Sequence, residues 1–365
     1  MTNVKEIVNF LNRIFPFDYQ ESYDNSGLLV GEPDTRVKGL LITLDVTESV
    51  VDESIANNCN VILAHHPIIF HGLKQLTGAT FETRTIMKAI RNNIAIIASH
   101  TNTDNTINGG TNHYLAKFFD LQELQSLLPV QGALRKLVTF VPIAFATKVR
   151  EALFAAGAGI IGNYDKTSFV TYGLGSFRGN IHTQAYSGMP DKFHLEKEIR
   201  IETIFPKHLE HKIIESLISV HPYEEVAYDI FTLNNKYPIF GSGIIGYLPK
   251  KVKAFDFLQK IKTVFGGIVR YTTPATSTIN KVAICGGSGS FLLQEAIRQQ
   301  ADIFITSDTK YHQFFDADKK IIIADVGHYE SEQFTKEIFF SLIQNNFSTF
   351  ALHLSKINTN PINYL

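Results

Sequence analysis

The sequence predicts an α/β protein: a core of mainly parallel sheets, interrupted by a smaller ferredoxin-like insert. Three observations carry this. Short apolar runs alternate with helical patterns through residues 38–120, as a sheet built from βαβ units requires. The same rhythm returns after residue 280. Between the two, a strand, a proline and a helix occur in that order twice, which reads as two βαβ halves in tandem. At 365 residues the chain has room for two or three domains.

The elements follow in order. In "MTNVKEIVNFLNRIF", Val4, Ile7, Val8, Leu11, Ile14 and Phe15 recur at helical spacing with charges between them. This is an amphipathic helix rather than a signal peptide. "DNSGLLVG" (24–31) reads as a turn into a strand, and by itself carries no chemistry. "GLLITLD", "NVILAHH" and "IAIIASH" are strands, separated by the helical "VTESVVDESIANN" and "TFETRTIMKAIRNN". "KLVTFVP" with "IAFATKVREALFAAG", and "EIRIETIFP" with "KHLEHKIIESLISV", form the repeated pair, each proline near a first helical turn. "EEVAYDIFTL" closes the insert as a strand, and the glycine-rich "FGSGIIGYLP" reads as the return linker. "KVAICGG", "SFLLQEAIRQQ", "DIFITSD", "KKIIIADVGHYES" and "EQFTKEIFFSLIQNN" then resume the core. The expected boundaries are 1–130 and 236–365 for the core and 131–235 for the insert.

Apolar residues make up 44% of the chain and charged residues 19%, with a net charge of −1. That balance suits a globular protein and carries no electrostatic footprint for nucleic acid or an anionic membrane. Two cysteines, Cys59 and Cys285, are too few for a disulfide scaffold or a thiolate zinc site. No apolar run approaches the roughly 20 residues of a membrane span. The expected location is the cytoplasm.

Chemistry concentrates where strands end. Asp45 ends "LITLD", His65 and His66 end "VILAHH", and His100 ends "IAIIASH" with Asp104 just beyond. Asp308 ends "IFITSD", and Asp325 ends "IIIAD" with His328 and Glu332 following. Ligands in α/β sheets bind outside the carboxyl ends of the strands. A lone histidine there is usually solvated or hydrogen-bonded. The joint set His65, His66, Asp104, His328 and Glu332 instead reads as a metal site, with a carboxylate between imidazoles able to bridge two cations. Such donors suit Zn²⁺, Mn²⁺ or Fe²⁺. His100 is either a ligand or the group that orients Asp104. The Gly286–Gly289 loop is a candidate anion cradle or a tight turn. "HPYEEVAYD" (221–229) reads as a solvated loop, His71, His113 and His312 stay unassigned, and no nucleophile elbow is present.

"DNSGLLVG", "LDVTESVVDES", "AHHPIIF", "SHTNTDN", "TSDTKYHQFFDA" and "DVGHYESE" occur in the order seen in the NIF-three-like family, whose members often carry the label GTP cyclohydrolase type two homologue. The chain resembles its longer bacterial members, and the segment from "RKLVTFVP" to "HPYEEVAYDIF" is similar to the PII/CutA-like domain they contain. The resemblance implies two divalent ions per subunit, zinc foremost and manganese or iron as alternatives, on His65, His66, Asp104, His328 and Glu332. It also implies a homohexameric ring. The functional expectation is a metal-dependent hydrolase of a small nucleotide or phosphorylated metabolite. The alternative is a non-catalytic metal-binding ring whose insert senses a ligand or docks a partner.

Overall fold

Runs of β-branched residues set the strands, and polar caps set where the helices begin. The first helix, Val4–Ile14, starts on a capping box in which Asn3 and Glu6 satisfy each other's backbone N–H. Thr80 and Thr83 do the same for Phe81–Arg91. The computed structural model describes residues 1–365. It divides into two compact units, Met1–Pro129 with Pro238–Leu365, and Val130–Tyr237.

In chain order the strands are β1 (Gly27–Val30), β2 (Gly39–Thr43), β3 (Val61–Ala64), β4 (Ala95–Ala98) and β5 (Gln122–Pro129). The second unit supplies β6 (Leu134–Pro142), β7 (Phe169–Phe177), β8 (His194–Pro206) and β9 (Tyr228–Leu233). The first unit resumes with β10 (Gly241–Lys253), β11 (Arg270–Tyr271), β12 (Thr278–Ile284), β13 (Ile303–Thr306), β14 (Ile322–Asp325) and β15 (Ala351–Leu354).

The first unit holds two sheets. One has the order β1-β4-β3-β2-β15, parallel throughout except for β1 at its edge. The other runs β11-β14-β13-β12-β10-β5; β12, β13 and β14 are parallel, while β11, β10 and β5 join antiparallel. The central strands β2, β3, β4, β13 and β14 are buried along their whole length, so they read as continuous apolar runs instead of alternating ones.

One expectation fails here. "FGSGIIGYLP" is no linker: from Gly241 onward it is the long strand β10, paired on one side to β12 and on the other to β5. Ile244 and Ile245 are buried in different apolar clusters of the first unit. Burial on both sides overrides the low strand preference of its glycines.

In the second unit β6 to β9 form an all-antiparallel sheet in the order β7-β8-β6-β9, with helices Ala146–Ala156 and Glu210–Val220 in the crossovers. This βαββαβ order is the ferredoxin-like arrangement. Its core, built on Leu137, Leu153, Ile201, Phe205 and Leu217, draws only on residues of that unit. No helix is long and apolar enough to cross a membrane.

Candidate metal centre

The carboxyl ends of the two sheets of the first unit bring the five residues together. His65 and His66 follow β3 directly, and Asp104 ends the short helix Thr101–Asp104 after β4. His328 and Glu332 bound the short helix His328–Glu332 after β14, so their i, i+4 spacing puts them on one face. The turn into that helix puts Gly327 at φ 91°, a backbone that residues with a Cβ rarely adopt.

Glu332 sits at the centre. Its Oε2 is 2.8 Å from His66 Nε2 and 2.9 Å from His328 Nε2, and its Oε1 is 3.9 Å from His65 Nε2. Asp104 Oδ1 is 3.6 Å from the same His65 nitrogen. Two three-donor groups result: His66, His328 and Glu332, and His65, Asp104 and Glu332. They share the Glu332 carboxylate.

Each imidazole is fixed through its other nitrogen. His65 Nδ1 donates to the Ser99 carbonyl at 3.0 Å, His66 Nδ1 to Asp45 at 2.7 Å and His328 Nδ1 to Asp308 at 2.6 Å. All three therefore present Nε2 to the centre, the orientation a metal-binding histidine needs. Asp308 reaches His328 from a left-handed backbone, φ 56°, which aspartate tolerates. Asp308 is thus an orienting group behind His328.

Burial and charge set the proton affinities. Desolvation drives fully enclosed His65 down to about 3. Burial would also lower His66, but the Glu332 and Asp45 carboxylates outweigh it and hold the ring at about 10. For His328 burial again opposes, and Asp308 with Glu332 raises it to about 11. Burial and the Glu332 charge push Asp104 up to about 7. Glu332 stays well below its ordinary range, since His66 and His328 overcome its own burial. Two atoms remain without a partner although fully buried, His65 Nε2 and Asp104 Oδ1. Orphaned lone-pair acceptors are costly in an interior, and the two lie 3.6 Å apart. The fit to a divalent cation is good: nitrogen and oxygen donors, pre-oriented, with unmet valence.

Three neighbours look different from the sequence expectation. His100 does not orient Asp104; its Nδ1 bonds Asp24 at 2.9 Å, while its ring packs edge-on against His65 and His66. It also forms a third donor group with those two histidines. Asp24, in the turn read as chemically silent, accepts from the His100 ring, the Thr101 N–H and the Thr101 hydroxyl. Asp325 is outside the cluster, bound to Arg270 at 2.7 Å and accepting the Thr309 N–H.

The Gly286–Gly289 loop is not an open anion cradle. The N–H of Gly286 donates to Asn112, that of Gly287 to Ser331 and that of Gly289 to Thr306. Its glycines serve approach instead: at Gly287, φ 65°, a Cβ would lie 2.1 Å from Glu332 Oε1. In "HPYEEVAYD", His221 is buried and the Tyr223 hydroxyl donates to Glu198 at 2.6 Å, so the segment is more ordered than a solvated loop. His71 and His312 are exposed, and His113 bonds the Ile107 carbonyl at 2.9 Å.

A cavity of about 830 Å³ opens beside the cluster, bordered by His66, His100, Asp104, His328 and Glu332. The tail segment Thr359–Ile362 closes part of it. Thr359 donates its hydroxyl to Asp45, the residue behind His66. Nothing in local sequence signals this contact, since the pair are 314 residues apart.

Comparison with known proteins bears on family and fold. Residues 2–361 match the family described as Duf34/NIF3 (NGG1p interacting factor 3). A Bacillus subtilis protein named GTP cyclohydrolase 1 type 2 homolog is 36% identical over 371 aligned positions, covering 100% of this chain and 99% of the relative. A protein of the same name from Halalkalibacterium halodurans is 35% identical, with 100% of each chain covered. Among solved structures, a Bacillus cereus protein related to NIF3 superposes with a TM-score of 0.83 at 35% identity, covering 100% and 99% of the two chains. Staphylococcus aureus protein SA1388 gives 0.77 at 28% identity, with the same coverage.

Proposed function

The chain belongs to the Duf34/NIF3 family, and we propose that it is a metal-dependent hydrolase of a small molecule, holding two divalent ions on His65, His66, Asp104, His328 and Glu332. The observation that carries this reading is the shared Glu332 carboxylate, with one oxygen facing His66 and His328 and the other facing His65. Paired ions supply an acidified water and a clamp for developing negative charge. The chain's own residues do the rest. Asp45, Asp308 and the Ser99 carbonyl lock three imidazoles with Nε2 inward. His100, held by Asp24, stands on the cavity wall beside them. Mixed imidazole and carboxylate donors suit zinc, manganese or iron, and the family resemblance puts zinc foremost. The test is metal analysis of the purified chain, followed by a hydrolysis screen on small-molecule esters, amides and phosphoesters with the metal present and stripped. Metal uptake with metal-dependent turnover supports the reading; a chain that takes up no divalent ion refutes it.

The proposal extends to assembly as a homohexamer. Support comes from strand β7, an edge of its sheet that carries Phe169, Tyr172 and Leu174 at 67%, 73% and 60% exposure. Uncovered apolar sheet edges favour pairing with another chain. Light scattering at micromolar concentration should give about six times the 41.0 kDa chain mass. A monomer throughout that range would refute the ring.

A further inference from the structure

The lining of the 830 Å³ cavity contains no lysine and no arginine. Its charged members beyond the candidate centre and Asp45 are Glu21 and Glu82, both acidic. Apolar side chains make up much of the wall: Phe70, Phe81 and Phe291 are 39%, 46% and 60% exposed, and Ile362 of the tail is 54% exposed. Neutral polar groups complete it, among them Asn105, Asn112, Ser242 and Ser288. The one glycine-rich loop at the cavity has three of its amides already engaged.

From this we infer that the cavity takes a small molecule with an apolar, ring-bearing body and at most one anionic group, that group lying at the ion site. The inference rests on the metal-dependent reading and narrows its substrate class. Phosphate groups are held by arginine, lysine, free backbone N–H groups or bound cations. His66 and His328 are each already paired with two carboxylates, so the place left to offset negative charge is the pair of ions. A nucleoside triphosphate would leave two further phosphates against phenylalanine and beside Glu21 or Glu82. Desolvating charge without a partner costs several kcal/mol per group, and nothing in the wall compensates. A ring, by contrast, gains from the aromatic side chains, and a cavity of this size suits a molecule of drug-like dimensions. The phosphorylated substrate expected from sequence is admitted only as a single phosphate carried at the ions.

The experiment uses anilinonaphthalene sulfonate, a ring body with one anionic group, and tripolyphosphate, a polyanion without a ring. Both are titrated against the full chain, stripped of metal and zinc-loaded, with zinc uptake read independently by metal analysis. The stripped chain should bind one dye per chain, and tripolyphosphate should not displace it. Phe291→Glu and, separately, Phe81→Glu should each weaken dye binding about tenfold or more while circular dichroism stays unchanged. Zinc loading should tighten dye binding about tenfold as the sulfonate gains a cationic partner. Tripolyphosphate that competes with the dye on the stripped chain overturns the inference, as does dye binding that survives both substitutions. Zinc uptake without tighter dye binding overturns the placement of the anionic group. A chain that takes up no zinc brings down the metal reading and the inference with it, and the uptake measurement identifies that case.

Discussion

Glu332 lies 266 residues from His66 in sequence, yet its Oε2 stands 2.8 Å from the imidazole Nε2. The same carboxylate faces His328 through that oxygen and His65 through the other. Replacing it with glutamine preserves shape and removes the one charge common to both donor groups. Glu332→Gln should lower divalent-ion affinity by at least about 100-fold, beyond what loss of an indirect partner costs, and leave the fold intact. Metal content per chain, read beside circular dichroism, checks this. Two ions retained per chain would exclude Glu332 as the shared ligand.

Asp45 works at one remove. It accepts the His66 Nδ1–H at 2.7 Å and receives the Thr359 hydroxyl on its other oxygen. Asp45→Asn should weaken the ion at His66 and His328 by about 10- to 100-fold, and Thr359→Val should do so to a smaller degree. Thr359→Ser keeps the hydroxyl and should restore the parent value. Competition against a chelator of known affinity gives the comparison; equal affinities across the series would assign the tail a purely structural part.

Asp24 predicts a pH dependence. Burial would raise its pKa, but the hydrogen bond and charge of His100 and the hydrogen bond from Thr101 outweigh this and hold the carboxyl well below its ordinary value of 3.8. The unfolded chain therefore takes up this proton first as pH falls. The stabilisation from Asp24 is complete above about pH 4 and is lost as pH drops further toward the folded value. Asp24→Asn should cost about 2 kcal/mol at neutral pH, the scale of charge-assisted hydrogen bonds in an enclosed site, and should flatten the acid limb. Urea titrations from neutral to acid pH test both. Parallel curves for the two proteins would mean that Asp24 carries none of the acid sensitivity.

What sequence reading could reach follows from distance along the chain. His65 and His66 stood out because an apolar strand has no use for two imidazoles at its end, and His328 with Glu332 because four residues make one helical face. Asp24 and Thr359 were invisible. Their partners lie 76 and 314 residues away, and an aspartate in a turn or a threonine in a tail has common local explanations. The Gly286–Gly289 loop, which the sequence leaves open between an anion cradle and a tight turn, shows the converse limit. Its composition announces free backbone, but whether the amides are free depends on Asn112, Ser331 and Thr306, which only the tertiary structure supplies. Likewise "FGSGIIGYLP" looks like a linker until β5 and β12 are known to flank it.

The boundary between the units leads to the last prediction. Pro129 at the end of β5 is register-paired with Gly241 at the start of β10, so the chain leaves the first unit and re-enters it at adjacent points of one antiparallel ladder. All five candidate ligands lie in Met1–Pro129 and Pro238–Leu365, and the apolar clusters there draw on no residue of Val130–Tyr237. Removing Val130–Tyr237 and joining Pro129 to Pro238 through Asn-Gly should therefore leave a short loop between β5 and β10, with Phe240 still stacked on Tyr19, since that dipeptide favours the tight turn antiparallel strands require. The gain from a shorter connection is small, because loop entropy changes only by about 0.6 kcal/mol per doubling of length. The decisive question is whether the core folds. The expected product is soluble, unfolds cooperatively and takes up as much divalent metal as the full chain. An insoluble product, or a soluble one that has lost metal uptake, would show that Val130–Tyr237 supports the folding of the ligand-bearing unit.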